Sequence, residues 1–257
     1  MSFYSNFARP ALFSLPPEKS QHLVELLLQR NSISKAMSKF FSFEDKVLHT
    51  ELAGLKLKNP IGLAAGFDKN IQFLSSMEQL GFGYVTGGTI TKEPRPGNPS
   101  PRLLRIKEDK TLINSMGFPG EGLQVAAKRL QNLPINPAAI RLISVSGTTI
   151  EDIVTCQTTI QTLCSAIEVN ISSPNTAGLR IFQEKPQLLR LLEALNRNKK
   201  VPIFVKLPPF NASLGKSIAV ETQDLIEACL KCEVDAITVA NTIPVDDTRL
   251  AVGRGGL

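Results

Sequence analysis

Short apolar segments alternate with helical segments along most of this chain. The apolar segments cover residues 61–66, 83–89, 141–147, 166–172, 203–207 and 236–241. Between them, apolar side chains recur at helical spacing over residues 71–80, 120–131, 150–164, 185–196 and 220–232. Buried strands that alternate with helices are typical of a parallel sheet, which is either closed into a barrel or open and doubly wound.

The polar residues at the ends of these segments favour the barrel. An open doubly wound sheet usually carries a G-x-G-x-x-G motif in its first crossover, and this sequence contains none. Polar residues instead follow every predicted strand, at Asp68 and Lys69, Thr89, Ser144 and Ser146, 170–175, Lys206, and Asn241 and Thr242. A ring of functional groups at strand ends is the arrangement of a TIM barrel. The sequence therefore predicts an α/β fold, a (β/α)8 barrel with about six of its eight strands present.

The two ends of the chain add further expectations. Residues 18–30 and 33–43 have the spacing of two short apolar helices, which either cap the core or rest on a bilayer. From residue 47 the pattern alternates as in a hairpin, with Ala53 and Gly54 at the turn. We therefore predict a helical segment over residues 1–45 and the barrel over residues 46–257. Because the chain stops in a glycine-rich loop at 253–257, we expect a fragment or a truncated gene product.

Composition excludes several classes of protein. The chain has 257 residues, of which 42% are hydrophobic, and a net charge of +6 whose basic residues are scattered, so we expect no nucleic acid partner. No apolar run approaches the roughly 18 residues of a membrane span, and the N-terminus lacks the order of a secretory signal. Cys229 and Cys232 form one CxxC, but the chain has only two histidines, so we expect packing cysteines and no metal site.

The candidate chemistry is cationic and amide-rich. An ammonium at a strand end, as at Lys69 and Lys206, favours a carboxylate, a phosphate or a reduced-flavin anion. Amides that can bond both donors and acceptors of a planar heterocycle are present at Asn114, Asn170, Asn175 and Asn241. No histidine or carboxylate general base accompanies them. Asp68 is the only strand-end acid near the set, and it could equally be a helix N-cap. This set indicates that a bound cofactor performs the chemical step that these side chains cannot perform. The polar stretch VNISSPNTAGLR could be either a turn or a functional site.

Six stretches of the sequence, in this order, resemble the dihydroorotate dehydrogenases. They are NPIGLAAGFDKN, GFGYVTGGTITKEPRPGNPSPRLLRI, LINSMGF, VNISSPNTAGLR, VKLPPF and ANTIP. The likeness is to class 2, the membrane-associated, quinone-linked branch. Class 1 enzymes carry a catalytic cysteine where this chain has Ser173, and the two leading helices are also typical of class 2.

The resemblance implies an FMN flavoprotein that oxidises dihydroorotate to orotate in pyrimidine (UMP) biosynthesis and passes the electrons to a quinone. Ser173 would be the catalytic proton acceptor, and Arg105 would lie at the mouth of a quinone tunnel between the N-terminal helices. The protein would then be peripheral, on the cytoplasmic face of the bacterial inner membrane or on the mitochondrial inner membrane. Two alternatives stay open: a truncated, catalytically impaired relative with a binding role or no enzymatic role, and another flavin barrel that reduces pyrimidines or dihydrouridine.

The resemblance also implies the contacts of both ligands. The flavin contacts are Ala65, Gly66, Lys69, Thr89, Asn170 and Lys206. The substrate contacts are Lys69, Asn114, Ser115, Met116, Gly117, Phe118, Asn170, Asn175, Asn241 and Thr242. The sequence departs from the family at Ser144, where a flavin-contacting asparagine is usual, and at Ala240, where a threonine is usual. The loops that would hold the FMN phosphate follow Leu257, so we expect this chain by itself to bind FMN poorly.

Overall fold

The computed structural model describes residues 4–134, 136, 138–173, 178–209 and 216–257. Its helices are α1 (Arg9–Phe13), α2 (Pro17–Leu28), α3 (Asn31–Phe41), α4 (Leu74–Gln79), α5 (Gly122–Gln131), α6 (Ile150–Ile160), α7 (Lys185–Asn196) and α8 (Lys216–Lys231). Its strands are β1 (Thr50–Leu52), β2 (Leu55–Leu57), β3 (Gly62–Leu63), β4 (Tyr84–Ile90), β5 (Leu103–Ile106), β6 (Thr111–Asn114), β7 (Arg141–Val145), β8 (Ala166–Asn170), β9 (Ile203–Lys206), β10 (Ala236–Thr238), β11 (Pro244–Asp246) and β12 (Arg254–Gly256).

Six parallel strands form the main sheet, in the order β3-β4-β7-β8-β9-β10. The sheet curls into a half barrel, and this confirms the predicted α/β barrel fold with six of eight strands. Successive strands are neighbours because each crossover helix returns the chain to the adjacent position. All carboxyl ends of the strands consequently meet at one edge, and the functional site lies there.

The outer face of the sheet packs under the helices to form the main core. Side chains of Ile143, Val145 and Val169 are completely buried there, and they alternate along their strands with residues that point into the half barrel. Leu188 and Leu191 of α7 cover them with no exposure. The apolar runs from which the strands were predicted and the helical spacing from which the helices were predicted therefore form the two sides of this core.

The amino end of the half barrel is closed by the β1-β2 hairpin. Ala53 and Gly54 form its turn with φ values of 51° and 77°, which confirms the predicted turn. Leu55 packs with Ala53 against a small buried cluster that includes Leu142 and Phe204. The hairpin thus seals the end of the sheet opposite to the functional site.

A second sheet of four antiparallel strands was not predicted. Its order is β11-β12-β6-β5, and β12 joins it through the pairing of Gly256 with Asn114. Its strands are only three or four residues long, which is too short for a period-2 pattern to mark them. This sheet brings Asn114 to the carboxyl edge of the half barrel.

The helices that precede the barrel lie where the periodicity predicts them, within a few residues. Pro17 starts α2 at the position where a missing backbone N–H costs nothing. Three leucines of α2, namely Leu23, Leu26 and Leu27, are between 43% and 47% exposed. Within the described residues, no helix combines the length and the apolar character that crossing a bilayer requires.

The cysteines of the CxxC lie in the apolar core. Cys229 and Cys232 are both buried at the end of α8. Burial raises the pKa of the Cys229 thiol to about 12, so this thiol stays protonated at neutral pH. These observations favour the packing role over a redox role.

Candidate active site

A cavity of about 420 Å³ opens at the carboxyl edge of the half barrel. It brings together residues that lie up to 221 positions apart, since its wall includes both Gln21 and Thr242. The predicted site residues that line it are Ala65, Gly66, Lys69, Thr89, Asn114, Met116, Gly117, Phe118, Asn170, Ser173, Lys206, Asn241 and Thr242. Nearly the whole predicted set therefore converges on one cavity, although the roles of these residues stay predictions.

Three other residues of the predicted set are not among those that line this cavity. Ser115 is completely buried behind the wall, where its hydroxyl accepts a hydrogen bond from Nδ2 of Asn98 at 3.3 Å. Arg105 lines a neighbouring pocket instead of this one. Asn175 lies outside the described residues.

The side-chain amide of Asn170 is held in one orientation. Its Oδ1 accepts hydrogen bonds from the backbone N–H and from the hydroxyl of Ser172, both at 3.1 Å. Its Nδ2 donates to Oγ1 of Thr89 at 3.2 Å. Because donors occupy the oxygen and an acceptor occupies the nitrogen, the amide cannot flip without loss of these bonds.

This amide is the centre of a buried polar network that crosses four strands of the half barrel. Oγ1 of Thr89 lies 3.0 Å from Oγ of Ser144, and Nδ2 of Asn241 donates to Oγ of Ser172 at 3.0 Å. The Ser146 hydroxyl donates to the backbone oxygen of Asn170 at 2.7 Å. Networks of this kind fix the geometry of a site when every member is satisfied.

Sequence reasoning missed the positioning role of Ser172. This residue was visible as part of the polar stretch after β8, but its contact with Asn241 bridges 69 positions. The sequence left open whether this stretch is a turn or a functional site; the turn is present, and the site remains a prediction. Asn170 and Ser172 form a local side-chain turn, and the same two residues support the cavity wall.

Ser144 stands where the resemblance expects a flavin-contacting asparagine. It is completely buried, and its hydroxyl is used by Thr89. It does not line the cavity. In this chain Ser144 therefore supports Thr89 from behind.

Two lysines contribute to the cavity wall. Lys69 and Lys206 line it, and neither ammonium has a hydrogen bond or an ion pair among the described residues. Burial lowers the pKa of Lys69 below its usual value, and the Glu25 carboxylate on α2 partly opposes this. A half-buried cation without a protein partner is stabilised by an anionic ligand.

Asp68, adjacent to Lys69, does not act as a strand-end acid. Its two carboxylate oxygens accept the backbone N–H groups of Gln72 and Phe73, each at 2.9 Å, just before α4. Burial raises the pKa of Asp68, and these backbone hydrogen bonds oppose the rise. The carboxylate thus holds the turn that leads into α4 and the loop that carries Lys69, whereas α4 itself begins at Leu74 without a side-chain cap.

A second, larger pocket of about 670 Å³ adjoins the first between the N-terminal helices and the β5-β6 hairpin. Both cavities share the side chains of Gln21, Leu103 and Leu112 and the backbone at Ala64 to Gly66. Nη1 of Arg105 donates to the carbonyl oxygen of Leu15 at 2.8 Å. Its guanidinium also lies 4.4 Å from the ring centre of Phe13, so Arg105 holds α1 against the hairpin.

Comparisons with known proteins agree with this architecture. A model of the dihydroorotate dehydrogenase family matches residues 47–253. The chain belongs to the dihydroorotate dehydrogenase family. Among its relatives, the dihydroorotate dehydrogenase (quinone) of Bartonella tribocorum is 36% identical over 94% of this chain and 68% of its own length. The enzyme of the same name from Roseiflexus is 34% identical over 97% of this chain and 72% of its own length.

A solved structure of a dihydroorotate dehydrogenase supports the same assignment. The enzyme from Eimeria tenella in complex with ferulenol superposes with a TM-score of 0.78 and is 26% identical. The alignment covers 94% of this chain and 72% of the Eimeria chain. The predicted membership of the quinone-linked branch is therefore confirmed.

Proposed function

We propose that this protein oxidises dihydroorotate to orotate with FMN as its cofactor and a quinone as the electron acceptor, as a step of pyrimidine biosynthesis. The observation that carries the proposal is the junction of the two cavities. One is polar and cationic at Lys69 and Lys206, the other is largely apolar, and they meet at Ala64 to Gly66. A redox reaction between a polar anion and an apolar acceptor needs two such compartments on either side of one cofactor.

The residues of the polar cavity fit a flavin. Lys206, Asn170 and Thr89 line this cavity and would hold the flavin, with Lys206 supplying a cation for its pyrimidine edge and the other two supplying polar groups. At Gly66 an added Cβ would meet no atom within 4 Å, so the backbone leaves room for a planar ring. When bound, FMN would supply the site that accepts a hydride and later releases electrons to the quinone.

The same cavity offers complementary groups for dihydroorotate. Lys69 would pair with the substrate carboxylate, and the amides of Asn114 and Asn241 would bond the ring carbonyl and N–H groups. The substrate set is completed in our proposal by Thr242 and, outside the described residues, by Asn175. Together these contacts would hold the carboxylate-bearing carbon toward the flavin.

Ser173 is proposed as the proton acceptor. It lines the cavity and is only 7% exposed. It would take the proton from the ring carbon next to the carboxylate-bearing carbon, while hydride leaves the latter. A serine hydroxyl is a weak base, so the proton would pass on through a neighbouring hydroxyl or an ordered water.

The apolar pocket is proposed as the quinone site, with Arg105 at its wall. Large apolar side chains of α3 are strongly exposed, among them Phe40 at 85% and Phe41 at 64%. Such residues on short amphipathic helices favour a peripheral position on a membrane. We propose the cytoplasmic face of a bacterial inner membrane, with the mitochondrial inner membrane as the alternative.

The proposal is tested by turnover of the protein after reconstitution with FMN. Dihydroorotate and a short-chain quinone are added without oxygen, and orotate is measured over time. We expect orotate to accumulate beyond one equivalent only when the quinone is present. A protein that binds FMN but forms no orotate would overturn the proposed reaction and would favour a binding role.

A further inference from the structure

The proline-rich loop of residues 94–101 is hydrogen-bonded to one wall of the candidate active site. This wall is the segment 116–118, all of which lines the cavity. The backbone N–H of Asn98 donates to the carbonyl oxygen of Met116 at 2.9 Å, and Nδ2 of Asn98 donates to the carbonyl oxygen of Ser115 at 3.0 Å. The loop and the wall are therefore fixed relative to each other.

The packing between the loop and the wall leaves little room for adjustment. At Gly97, which has a φ of +76°, an added Cβ would lie 2.5 Å from the carbonyl oxygen of Met116. At Gly117, an added Cβ would lie 2.7 Å from Oδ1 of Asn98. Because the two segments approach so closely at both glycines, a displacement of the loop would also displace the wall.

The loop has few backbone donors of its own. Four of its eight residues are prolines, which carry no backbone N–H. Arg102 supplies donors from outside the loop, since its Nη1 donates to the carbonyl oxygen of Pro96 at 2.9 Å and to that of Asn98 at 3.1 Å. One side chain thus joins the residues on either side of Gly97.

The main chain of Arg102 also contacts the wall side. Its carbonyl oxygen accepts a hydrogen bond from the backbone N–H of Ser115 at 2.8 Å, which continues the pairing of β5 with β6. Arg102 therefore holds the wall in two ways, through its own carbonyl oxygen and through the loop that its guanidinium binds.

The guanidinium of Arg102 is itself held by α2. Its Nε donates to Oε1 of Glu18 at 2.8 Å, and the Ser100 hydroxyl donates to Oε2 of the same carboxylate at 3.1 Å. The Arg102 side chain is only 20% exposed, so solvent screens this contact less than it screens an ordinary surface ion pair. Glu18 lies in the first turn of α2, where the helix dipole also favours a carboxylate.

We propose that Arg102 is a positioning residue for the substrate and that Glu18 orients its guanidinium. Arg102 is not among the residues that line the cavity, so it acts through the backbone of the segment 116–118. This inference rests on the proposed function, because it takes the cavity to be the dihydroorotate site.

The pair of Glu18 and Arg102 also has an electrostatic effect on the cavity. The pKa of Lys69 is lowered mainly by burial; Arg102 lowers it further, and Glu18 opposes this. Because the two charges act in opposite directions, removal of both leaves the electrostatic balance at Lys69 nearly unchanged. The double variant Glu18→Gln/Arg102→Gln therefore separates positioning from charge.

Titration of orotate into the protein reconstituted with FMN tests the proposal. We expect Arg102→Gln to weaken orotate binding about tenfold, since a displaced wall no longer matches the ligand. The double variant should lose as much affinity as Arg102→Gln. Arg102→Lys should lose nearly as much, because one ammonium cannot reproduce the planar fork of a guanidinium. Recovery of the wild-type affinity in the double variant or in Arg102→Lys would overturn the proposal.

Arg141→Gln is the matched control for Arg102→Gln. Arg141 also bonds a carboxylate, that of Glu78, and a proline carbonyl oxygen, that of Pro134. It lies at the amino end of β7, away from the cavity. Arg141→Gln should lower the free energy of unfolding but keep the orotate affinity within about twofold of the wild type. Equal losses of orotate affinity in the two variants would assign the effect to general destabilisation and overturn the proposal.

Amide hydrogen exchange in the absence of orotate distinguishes failure of this proposal from failure of the proposed function. The backbone N–H groups of Asn98 and Ser115 are bonded in this arrangement. They should exchange faster in Arg102→Gln and at the wild-type rate in Arg141→Gln. Unchanged exchange in Arg102→Gln would overturn the positioning role. If the exchange rates change as expected but the wild type binds no orotate, the proposed function fails and the hold of Arg102 on the wall stands.

Discussion

The side-chain amide of Asn170 donates to the hydroxyl of Thr89 across 3.2 Å, which joins the carboxyl end of β8 to that of β4. Both residues are at least nine-tenths buried. Thr89 also forms a hydrogen bond with Ser144, and Asn170 also accepts one from Ser172. The proposed flavin wall is therefore a single hydrogen-bonded network, so the replacement of one member should also disturb the positions of the others.

Replacement of Thr89 by valine should weaken both the fold and the flavin site. Thr89→Val keeps the shape but leaves the Asn170 amide and the Ser144 hydroxyl without this partner, which costs about 1–3 kcal/mol. We expect FMN affinity to fall by about fivefold to tenfold. Chemical denaturation and quenching of flavin fluorescence measure the two effects.

Thr91→Val is the matched control for this prediction. Thr91 is also buried near the end of β4, but its hydroxyl donates to the carbonyl oxygen of Glu93 at 2.7 Å, outside the network. Thr91→Val should lower the free energy of unfolding and have little effect on the affinity for FMN. Equal losses of FMN affinity in both variants would show that the network does not hold the flavin wall.

Removal of the Lys69 charge should separate stability from ligand binding. Burial lowers the pKa of Lys69 in the folded state, so the charged ammonium lowers the free energy of unfolding. This destabilisation is fully present below the folded-state pKa and disappears as the pH rises toward the pKa of the unfolded state. Lys69→Met should therefore not lower the melting temperature of the ligand-free protein at neutral pH. It should weaken orotate binding about tenfold to a hundredfold, since a hydrogen bond to a charged group contributes about 1.5–3 kcal/mol.

The same lysine should give orotate binding a pH dependence. An anion favours the protonated form of Lys69, so orotate affinity should fall as the pH rises through the lowered pKa of this lysine. Calorimetry at several alkaline pH values would measure this, and the decline should be absent from Lys69→Met. An identical decline in the variant would assign the pH dependence to another group.

Arg105→Lys should loosen the N-terminal helix although it keeps the charge. Lysine cannot reproduce the hydrogen bond to Leu15 together with the stacking on Phe13. The loss should weaken the docking of α1 by about 1.5–3 kcal/mol. Limited proteolysis should cut the N-terminal segment faster, and the KM for the quinone should rise.

Arg95→Lys provides the comparison for Arg105→Lys. The Arg95 side chain has no hydrogen bond within the described part of the chain, and it lies outside the apolar pocket. It should leave both the proteolysis rate and the KM for the quinone near wild type. If Arg105→Lys behaves in the same way, then Arg105 does not anchor α1.

Gly117→Ala should destabilise the cavity wall through the backbone. Gly117 has a φ of +69°, and an added Cβ would lie 2.7 Å from Oδ1 of Asn98. Gly54 has a φ of +77° with no atom within 4 Å of such a Cβ, so Gly54→Ala isolates the backbone strain, about 1–2 kcal/mol. Chemical denaturation should show that Gly117→Ala lowers the free energy of unfolding by about 1–3 kcal/mol more than Gly54→Ala does.

The sequence was sufficient for the parallel sheet because its signals are local. Val85 and Ile143 belong to continuous apolar runs, and the strand ends that follow carry the polar residues. The choice left open for Asp68 could not be made from sequence. It depended on where the helix begins, and α4 begins at Leu74, three residues later than the predicted start at residue 71.

The parts that could not be predicted depend on distant pairing. β12 pairs with β6 through residues that are 142 positions apart in the sequence, and the hydrogen bond between Thr89 and Ser144 joins residues that are 55 positions apart. No periodicity within one segment reports such partners. The sequence therefore indicated which residues converge on the cavity, but not that Ser172 and Ser144 hold the wall in place.

Anaerobic reduction of the bound flavin tests the central claim most directly. The protein reconstituted with FMN is mixed rapidly with dihydroorotate, and the visible flavin absorbance is followed in the wild type and in Ser173→Ala. We predict that the wild type bleaches and that the variant, with an unchanged oxidised spectrum, bleaches about 100-fold to 10,000-fold more slowly. A wild-type flavin that stays oxidised, or a variant that bleaches at the wild-type rate, would contradict the account.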